Sequence, residues 1–333
     1  FKNKVGLDVS LFTKDSEDLI INLDLDASTG YTSSTVNSAS INNKGVEAIV
    51  TVVPVQSRDF TWELTGQFSL LRSEVLSISD GVDQIYVGGY VGRGNIAIPG
   101  LPYGIMDGDI IKRDYGSLDG TDHTQVHWDD RLNYIPVVDA NGGYQQLGYG
   151  VIGDPNPDFV YGVTNTLTYK WVTARVQFDA SVGGDVFSTT SSTLLGRGIL
   201  EETGFDRFIP VVTRGLSNDG TPNTTQTTAN QHYWPNTGVF YDENSVYDAS
   251  VMRLREISLS FVAPKSFLNG TPFGSASLTM SAQNIWHYAW NFPAGSNFDP
   301  EVISYGAGSN ARGWDEMTGP TAKKWGATLS LTF

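Results

Sequence analysis

The chain has 333 residues and a formal net charge of -15, with 17% charged and 12% aromatic residues. So acidic a chain offers no basic stripe to neutralise phosphates, which argues against nucleic acid as a partner. The absence of cysteine removes disulfides and thiolate metal sites. The absence of any run of 18 apolar residues removes a conventional transmembrane helix.

The dominant signal along the chain is period-2 alternation, the mark of a strand whose two faces meet different surroundings. Phe1-Lys2-Asn3-Lys4 leads without a leader segment into a strand at Val5–Phe12, so a fragment of an exported protein is expected. A second strand follows at Gly45–Pro54. Thr61–Leu70 alternates clearly, with Trp62, Leu64, Gly66, Phe68 and Leu70 on one face and Thr61, Glu63, Thr65, Gln67 and Ser69 on the other. Leu101–Arg113 and Tyr144–Ile152 are weaker candidates. Phe159–Tyr169 and Val172–Gly183 come next, the latter setting Val172, Ala174, Val176, Phe178, Ala180 and Val182 against Thr173, Arg175, Gln177, Asp179 and Ser181. Val251–Pro264, Ser275–Trp286 and Lys324–Phe333 complete the series. That makes eight strands, or ten with the two weaker candidates, and many have the ~9–11 residues that cross a bilayer at a tilt.

The connections alternate between short and long. Short ones join Pro54 to Phe60, Tyr169 to Val172 and Pro264 to Gly274. Long ones separate Phe12 from Gly45, Leu71 from Phe159, Gly183 from Ser250 and Trp286 from Ala322. Outer-membrane barrels have short periplasmic turns and long extracellular loops. The expected fold is therefore all-β, a transmembrane antiparallel β-barrel with its carboxy terminus periplasmic. The parity closes if Leu71–Phe159 adds no strand or two. Phe60, Trp62, Tyr169, Trp171 and Phe333 cluster near the short turns and read as the periplasmic aromatic girdle. A soluble β-sandwich fits less well, because its strands run about five or six residues with turns every 8–12.

Five stretches, in order, resemble the SusC/RagA family of TonB-linked outer-membrane transporters. They are Asn43-Lys44-Gly45-Val46-Glu47-Ala48; Ile152-Gly153-Asp154-Pro155-Asn156-Pro157-Asp158-Phe159-Val160-Tyr161-Gly162; Gly183-Gly184-Asp185-Val186-Phe187; Asp248-Ala249-Ser250-Val251-Met252-Arg253-Leu254-Arg255-Glu256-Ile257-Ser258-Leu259; and Gln283-Asn284-Ile285-Trp286 with Asp299-Pro300-Glu301-Val302. The resemblance implies that residues 1–333 are the carboxy-terminal part of one plugged barrel domain of about 22 strands. The plug, the TonB box and the earlier strands would lie outside this chain, in the same or another polypeptide. It also implies TonB-dependent import of a bulky nutrient, either a glycan fragment or an oligopeptide. Its partners would be a SusD-like surface lipoprotein, the TonB complex and outer-membrane lipid. The alternatives are a non-transporting barrel (adhesin or porin) and a soluble glycan-binding β protein. Relatives carry an acid-rich loop where this chain has Asp139-Ala140-Asn141-Gly142-Gly143. With Gly143 in place of the second acid, the stretch reads as a turn and not a calcium loop.

Candidate site residues follow from face and position. Tyr233, Trp234, Phe240 and Tyr241 lie in one long connection and Tyr288 and Trp290 at the next. Their rings suit stacking on sugars or peptide side chains in a substrate vestibule or against the lipoprotein lid, with loop packing or an upper girdle as the plainer reading. Arg175, Gln177, Asp179, Thr279, Ser281, Gln283 and Lys324 share polar strand faces and are expected to face the lumen or plug. Arg175 facing lipid at mid-bilayer would cost ~2–4 kcal/mol. Strict alternation puts Arg253 and Arg255 on the face of Ile257, Leu259 and Phe261, near the extracellular end. There they would meet lipopolysaccharide phosphates or a neighbouring loop. The acid pairs Asp129-Asp130 and Glu201-Glu202 read as hydrated loop residues and not a glycosidase pair. His123, His127, His232 and His287 read as surface polar residues. No enzymatic site, metal or cofactor is expected.

Overall fold

The computed structural model describes residues 4–333 except 25, 26, 32, 91, 116–127, 237–240, 294, 297, 302, 303 and 306–309. Its main feature is a sheet of eight antiparallel strands in chain order. They are β1 (Val5–Asp24), β2 (Ser33–Gln56), β3 (Phe60–Ser77), β4 (Phe159–Tyr169), β5 (Val172–Val182), β6 (Val251–Val262), β7 (Ser275–Tyr288) and β8 (Lys324–Thr332). The expected all-β fold holds. Among the described residues, Leu71–Phe159 adds no strand to this wall.

The register turns sequence alternation into rows across the wall. One face carries Phe60–Tyr169–Val172–Phe261–Leu278–Leu329 as its first row. Further along come Leu7–Val50–Gly66–Val163–Phe178–Leu254–Trp286 and Leu11–Val46–Leu70. Leu7, Leu11, Ile257, Leu259, Met280, Trp325 and Leu329 are all exposed on this face. Contiguous apolar exposure of this extent marks a surface made for a nonaqueous neighbour. From Phe60 to Leu70, at ~3.3 Å per residue, is about 33 Å of strand. At a tilt of ~40° that is about 25 Å of height, the size of an outer-membrane apolar band. Asn165 is the polar interruption, and it accepts the Trp62 indole N–H at 3.4 Å.

The opposite face is polar, with rows such as Thr51–Thr65–Thr164–Gln177–Glu256–Gln283–Lys324 and Thr61–Thr168–Thr173–Ser260–Thr279–Thr328. Hydroxyls pair across strands here, as between Thr168 and Thr173 at 3.2 Å.

Two expectations need correction. Phe12 to Gly45 is not a long loop: β1 and β2 remain paired from Val5↔Val52 to Asp24↔Ser33. Beyond Leu11 the outward row becomes Thr13–Lys44–Arg72, then Asp15–Asn42–Glu74, so the apolar alternation ends while the ladder continues. Backbone pairing does not need a two-faced side-chain pattern once both faces are wet. The weaker candidates Leu101–Arg113 and Tyr144–Ile152 contain strands Ile105–Ile111 and Gln146–Gly153, but these pair with each other outside the wall. Ile105, Met106, Ile110 and Ile111 are all fully buried, so alternation is confined to the middle, where Asp107 and Asp109 face away from Met106, Gly108 and Ile110.

The long connections fold together as a cap. Met106, Ile110 and Ile152 from the 78–158 connection pack with Phe187 from 183–250 and with Ala311 and Trp314 from 289–323. Trp314 is fully buried, meets Phe187 in a tilted ring contact at 4.9 Å and donates its indole N–H to Asn95 Oδ1 at 2.8 Å. Asn95 also accepts from Arg312 N at 2.9 Å and donates to the Gly104 carbonyl at 2.6 Å, so one buried amide ties two connections. Trp314→Ala should cost about 3–5 kcal/mol of cap stability. The expected readout is faster proteolytic nicking in residues 78–158 and 289–323, with heat-resistant migration of the folded wall unchanged.

Candidate functional site

The site is built where the wall strands run into the cap. The Asp154-Pro155-Asn156-Pro157-Asp158 stretch enters β4, and Gly183-Gly184-Asp185 leaves β5. Asp185 N donates to the Asp154 carbonyl at 2.7 Å, and Asp154 N donates back to Asp185 Oδ2 at 2.8 Å. Gly183 and Gly184 both have positive φ, +73° and +77°. A Cβ on Gly183 would lie 2.4 Å from Asp158 Oδ2, so the double turn admits only glycine there. Asp248-Ala249-Ser250 closes the junction: Ala249 N donates to the Gly184 carbonyl and Ser250 Oγ accepts from Gly183 N, both at 2.8 Å.

A β-bulge then re-aims the arginines of β6. Phe178 pairs with Leu254 and Gln177 with Glu256, leaving Arg255 as the extra residue. β7 is bulged beside it, with Asn284 at φ +52°. The bulge shifts parity by one. Arg253 thereby joins the inner face opposite Asp179, correcting the outward placement that strict alternation gives. Arg255 forks onto Asp179, with Nε–Oδ1 and Nη2–Oδ2 both at 2.8 Å, and onto Glu301 at 2.8 and 2.9 Å. Arg253 pairs with Asp299, both side chains almost wholly buried, and reaches Glu301 at 3.4 Å. The arginines thus hold a cap segment, not lipid phosphates. Burial alone would raise the Asp299 carboxyl, but the Arg253 hydrogen bond and charge outweigh it and hold it at about 2.

Between the wall's inner face and the cap lies a cavity of about 870 Å³. Ile49, Gln67, Val160, Gln177 and Asp179 line it from the wall; Pro155, Asp185, Val186, Glu301 and Arg312 line it from the cap. It is an amphipathic chamber rimmed by carboxylates. Burial pushes the Asp185 carboxyl up to about 7; the Asp154 N–H opposes that shift, and the charges of Asp129, Asp154 and Asp248 add to it.

The predicted residues divide. Gln177 and Asp179 line the cavity. Arg175 lies lower on the same face and donates to Gln177 at 3.3 Å. Thr279, Ser281, Gln283 and Lys324 belong to the polar rows away from it, with Gln283 donating to Glu256 at 3.4 Å. None of Tyr233, Trp234, Tyr241, Tyr288 and Trp290 lines the cavity. Trp234 packs under the Arg197 guanidinium at 4.1 Å, Tyr233 against Phe205 and His232, and Tyr241 donates its hydroxyl to the Tyr144 carbonyl. Tyr288 stands on the outward apolar face opposite Met252, stacked on Trp286 and tilted against Trp290, both at 6.4 Å. Phe240, His123 and His127 lie outside the described residues. His232 meets Thr213 Oγ1 at 3.1 Å, and His287 pairs with Arg253 across strands. Asp129-Asp130 and Glu201-Glu202 sit on short helical turns. Asp139 Oδ1 accepts from Asn141 N and Gly143 N, both at 2.9 Å, as a turn does. At the short-turn edge Tyr169 and Trp171 flank Lys170, Trp171 meets Phe267 at 6.2 Å and Phe333 meets Phe273 at 5.2 Å. Phe60 pairs with Tyr169 and Trp62 with Leu167 on the same outward face.

A wall that is apolar outside, polar inside and covered by folded loops belongs to the class of outer-membrane barrel walls. No family model matches the chain. It is 27% identical over its whole length to TonB-dependent receptor P3 of Formosa agariphila and 26% identical to TonB-dependent receptor P26 of the same organism, covering 33% of each. Its fold matches the RagAB peptide transporter over the full chain and 34% of that protein, with a TM-score of 0.63 at 18% identity. The closed-closed state of the RagAB peptide importer gives a TM-score of 0.66 at 17% identity over the same shares. The likeness to SusC/RagA-type TonB-linked transporters therefore holds along the whole chain, and the chain spans about a third of the length of the curated relatives it matches.

Removing Arg253 would leave Asp299 buried and unpaired, at a cost of about 3–5 kcal/mol. Arg253→Ala should expose residues 289–301 to rapid hydrogen exchange. The pH sign follows from Asp299: its depressed value stabilises the folded cap above the free carboxylate value of ~3.9. That contribution should fade as pH falls from about 4 to about 2 in wild type and be absent in Asp299→Asn.

Proposed function

We propose that this chain is the carboxy-terminal part of the barrel of a TonB-dependent outer-membrane importer. The observation that carries the reading is the two-faced wall: an outward apolar band about 25 Å high backed by a polar face that opens into the capped cavity. In hydrocarbon every backbone group needs a partner. β1 and β8 are the edges of the sheet, so further strands of the same barrel would complete it, with a plug filling the lumen. Gln177, Asp179, Arg175, Thr279, Ser281, Gln283 and Lys324 would face plug or lumen water.

In this reading the short turns face the periplasm. Phe60, Trp62, Tyr169, Trp171 and Phe333 form the lower girdle, and Trp286, Tyr288 and Trp290 belong to the upper one. The capped cavity is extracellular. Its volume falls within the ~300–1,000 Å³ of small-ligand sites and suits one part of a bulky nutrient, an oligopeptide or glycan fragment. The cap, with Tyr233, Trp234 and Tyr241, is the surface on which a SusD-like lipoprotein would sit.

Cells carrying the whole transporter should take up the nutrient only with TonB present, and purified protein should add no open conductance to a planar bilayer. TonB-independent uptake with a steady conductance would identify a porin. Migration that does not change on heating would overturn the barrel itself.

A further inference from the structure

The outward face changes character within one row. Leu11–Val46–Leu70 ends the apolar band, and the next outward row is Thr13–Lys44–Arg72. These residues line an open groove of about 530 Å³. Two cations, Lys44 and Arg72, thus stand adjacent across strands at the band's upper edge. Lys44 is exposed. Arg72 contacts Asp158 at 2.6 Å, both side chains more than half exposed, and lies 3.4 Å from the Pro157 carbonyl. An ion pair so open to solvent contributes little and leaves the guanidinium free to turn. The row above, Asp15–Asn42–Glu74, carries two acids, with Asn42 Nδ2 donating to Thr13 Oγ1 at 3.2 Å and to Asp15. It repels an anion from above and confines it to the level of Lys44 and Arg72.

We propose that Lys44 and Arg72 bind a phosphate of an outer-leaflet lipid headgroup, while Leu11, Val46 and Leu70 receive one of its acyl chains. The proposal rests on the membrane reading above. Arginine takes two phosphate oxygens in a planar fork and lysine adds a point charge, the combination that selects phosphate over a neutral headgroup. The apolar groove directly beneath distinguishes a lipid from a soluble anion, which would gain nothing from it.

The test uses the whole transporter, stripped of lipid in detergent and offered phosphorylated or dephosphorylated lipid A with identical acyl chains, with retention read by native mass spectrometry. Wild type should retain the phosphorylated lipid about tenfold better. Lys44→Gln/Arg72→Gln should lose that preference, whereas Arg58→Gln, at the opposite edge, should keep it. Millimolar inorganic phosphate should not displace the lipid. Equal retention of the two lipids by wild type, an unchanged preference in the double variant, or displacement by inorganic phosphate would each overturn the site. If the double variant fails to fold, the wild-type comparison of the two lipids still decides. Loss of heat-modifiable migration in wild type would instead overturn the barrel reading on which the proposal stands.

Discussion

Hydrocarbon offers no hydrogen-bond partner, so a wall that stands in it must pair its backbone laterally and turn apolar side chains outward. The rest of this structure depends on that constraint. It sets the strict period of 2 through β3, β4 and β5, where every ladder position from Phe60↔Tyr169 to Ser69↔Val160 is filled without a slip. Above the band the outward side chains cease to be apolar, β1 and β2 continue as a paired ribbon with slips between Ser16 and Ile20, and the connections fold on one another.

The transition from wall to cap is the most constrained part of the molecule. Two glycines at positive φ turn the chain out of β5 into Asp185, and the bulge in β6 rotates Arg253 and Arg255 onto Asp299, Glu301 and Asp179. Together these features hold three separate connections against the inner face, and Val75 of β3 adds an apolar contact with Ile85 and Ala97 of the cap. What remains between them is the chamber. Three of the family-like motifs, residues 152–162, 183–187 and 248–259, meet at this junction, where the chain leaves or rejoins the wall, whereas residues 43–48 lie within β2.

Legibility in the sequence followed the environment. Ser275–Tyr288 and Lys324–Thr332 were readable because one face meets lipid and the other water, and Gln177 and Asp179 on the cavity wall were readable for the same reason. Ile105–Ile111 was poorly readable because buried apolar pairs at both ends leave alternation only in its middle. Trp234 and Tyr241 look like ligand-stacking residues in a loop, yet each is already engaged, one by Arg197 and the other by Tyr144. Asp185 and Glu301 were visible only as parts of motifs, since no local pattern says that a carboxylate far along the chain from β2 will line the same chamber as Ile49.

The sequence by itself determined the wall: its strand order, its two faces and the ends of its apolar band. These follow from a one-dimensional period and from loop lengths, both written locally. The tertiary structure alone decided the cap, the inward turn of Arg253 and Arg255, and the cavity. A bulge changes parity without changing composition, and a shared core around Trp314 depends on contacts among segments the sequence holds far apart.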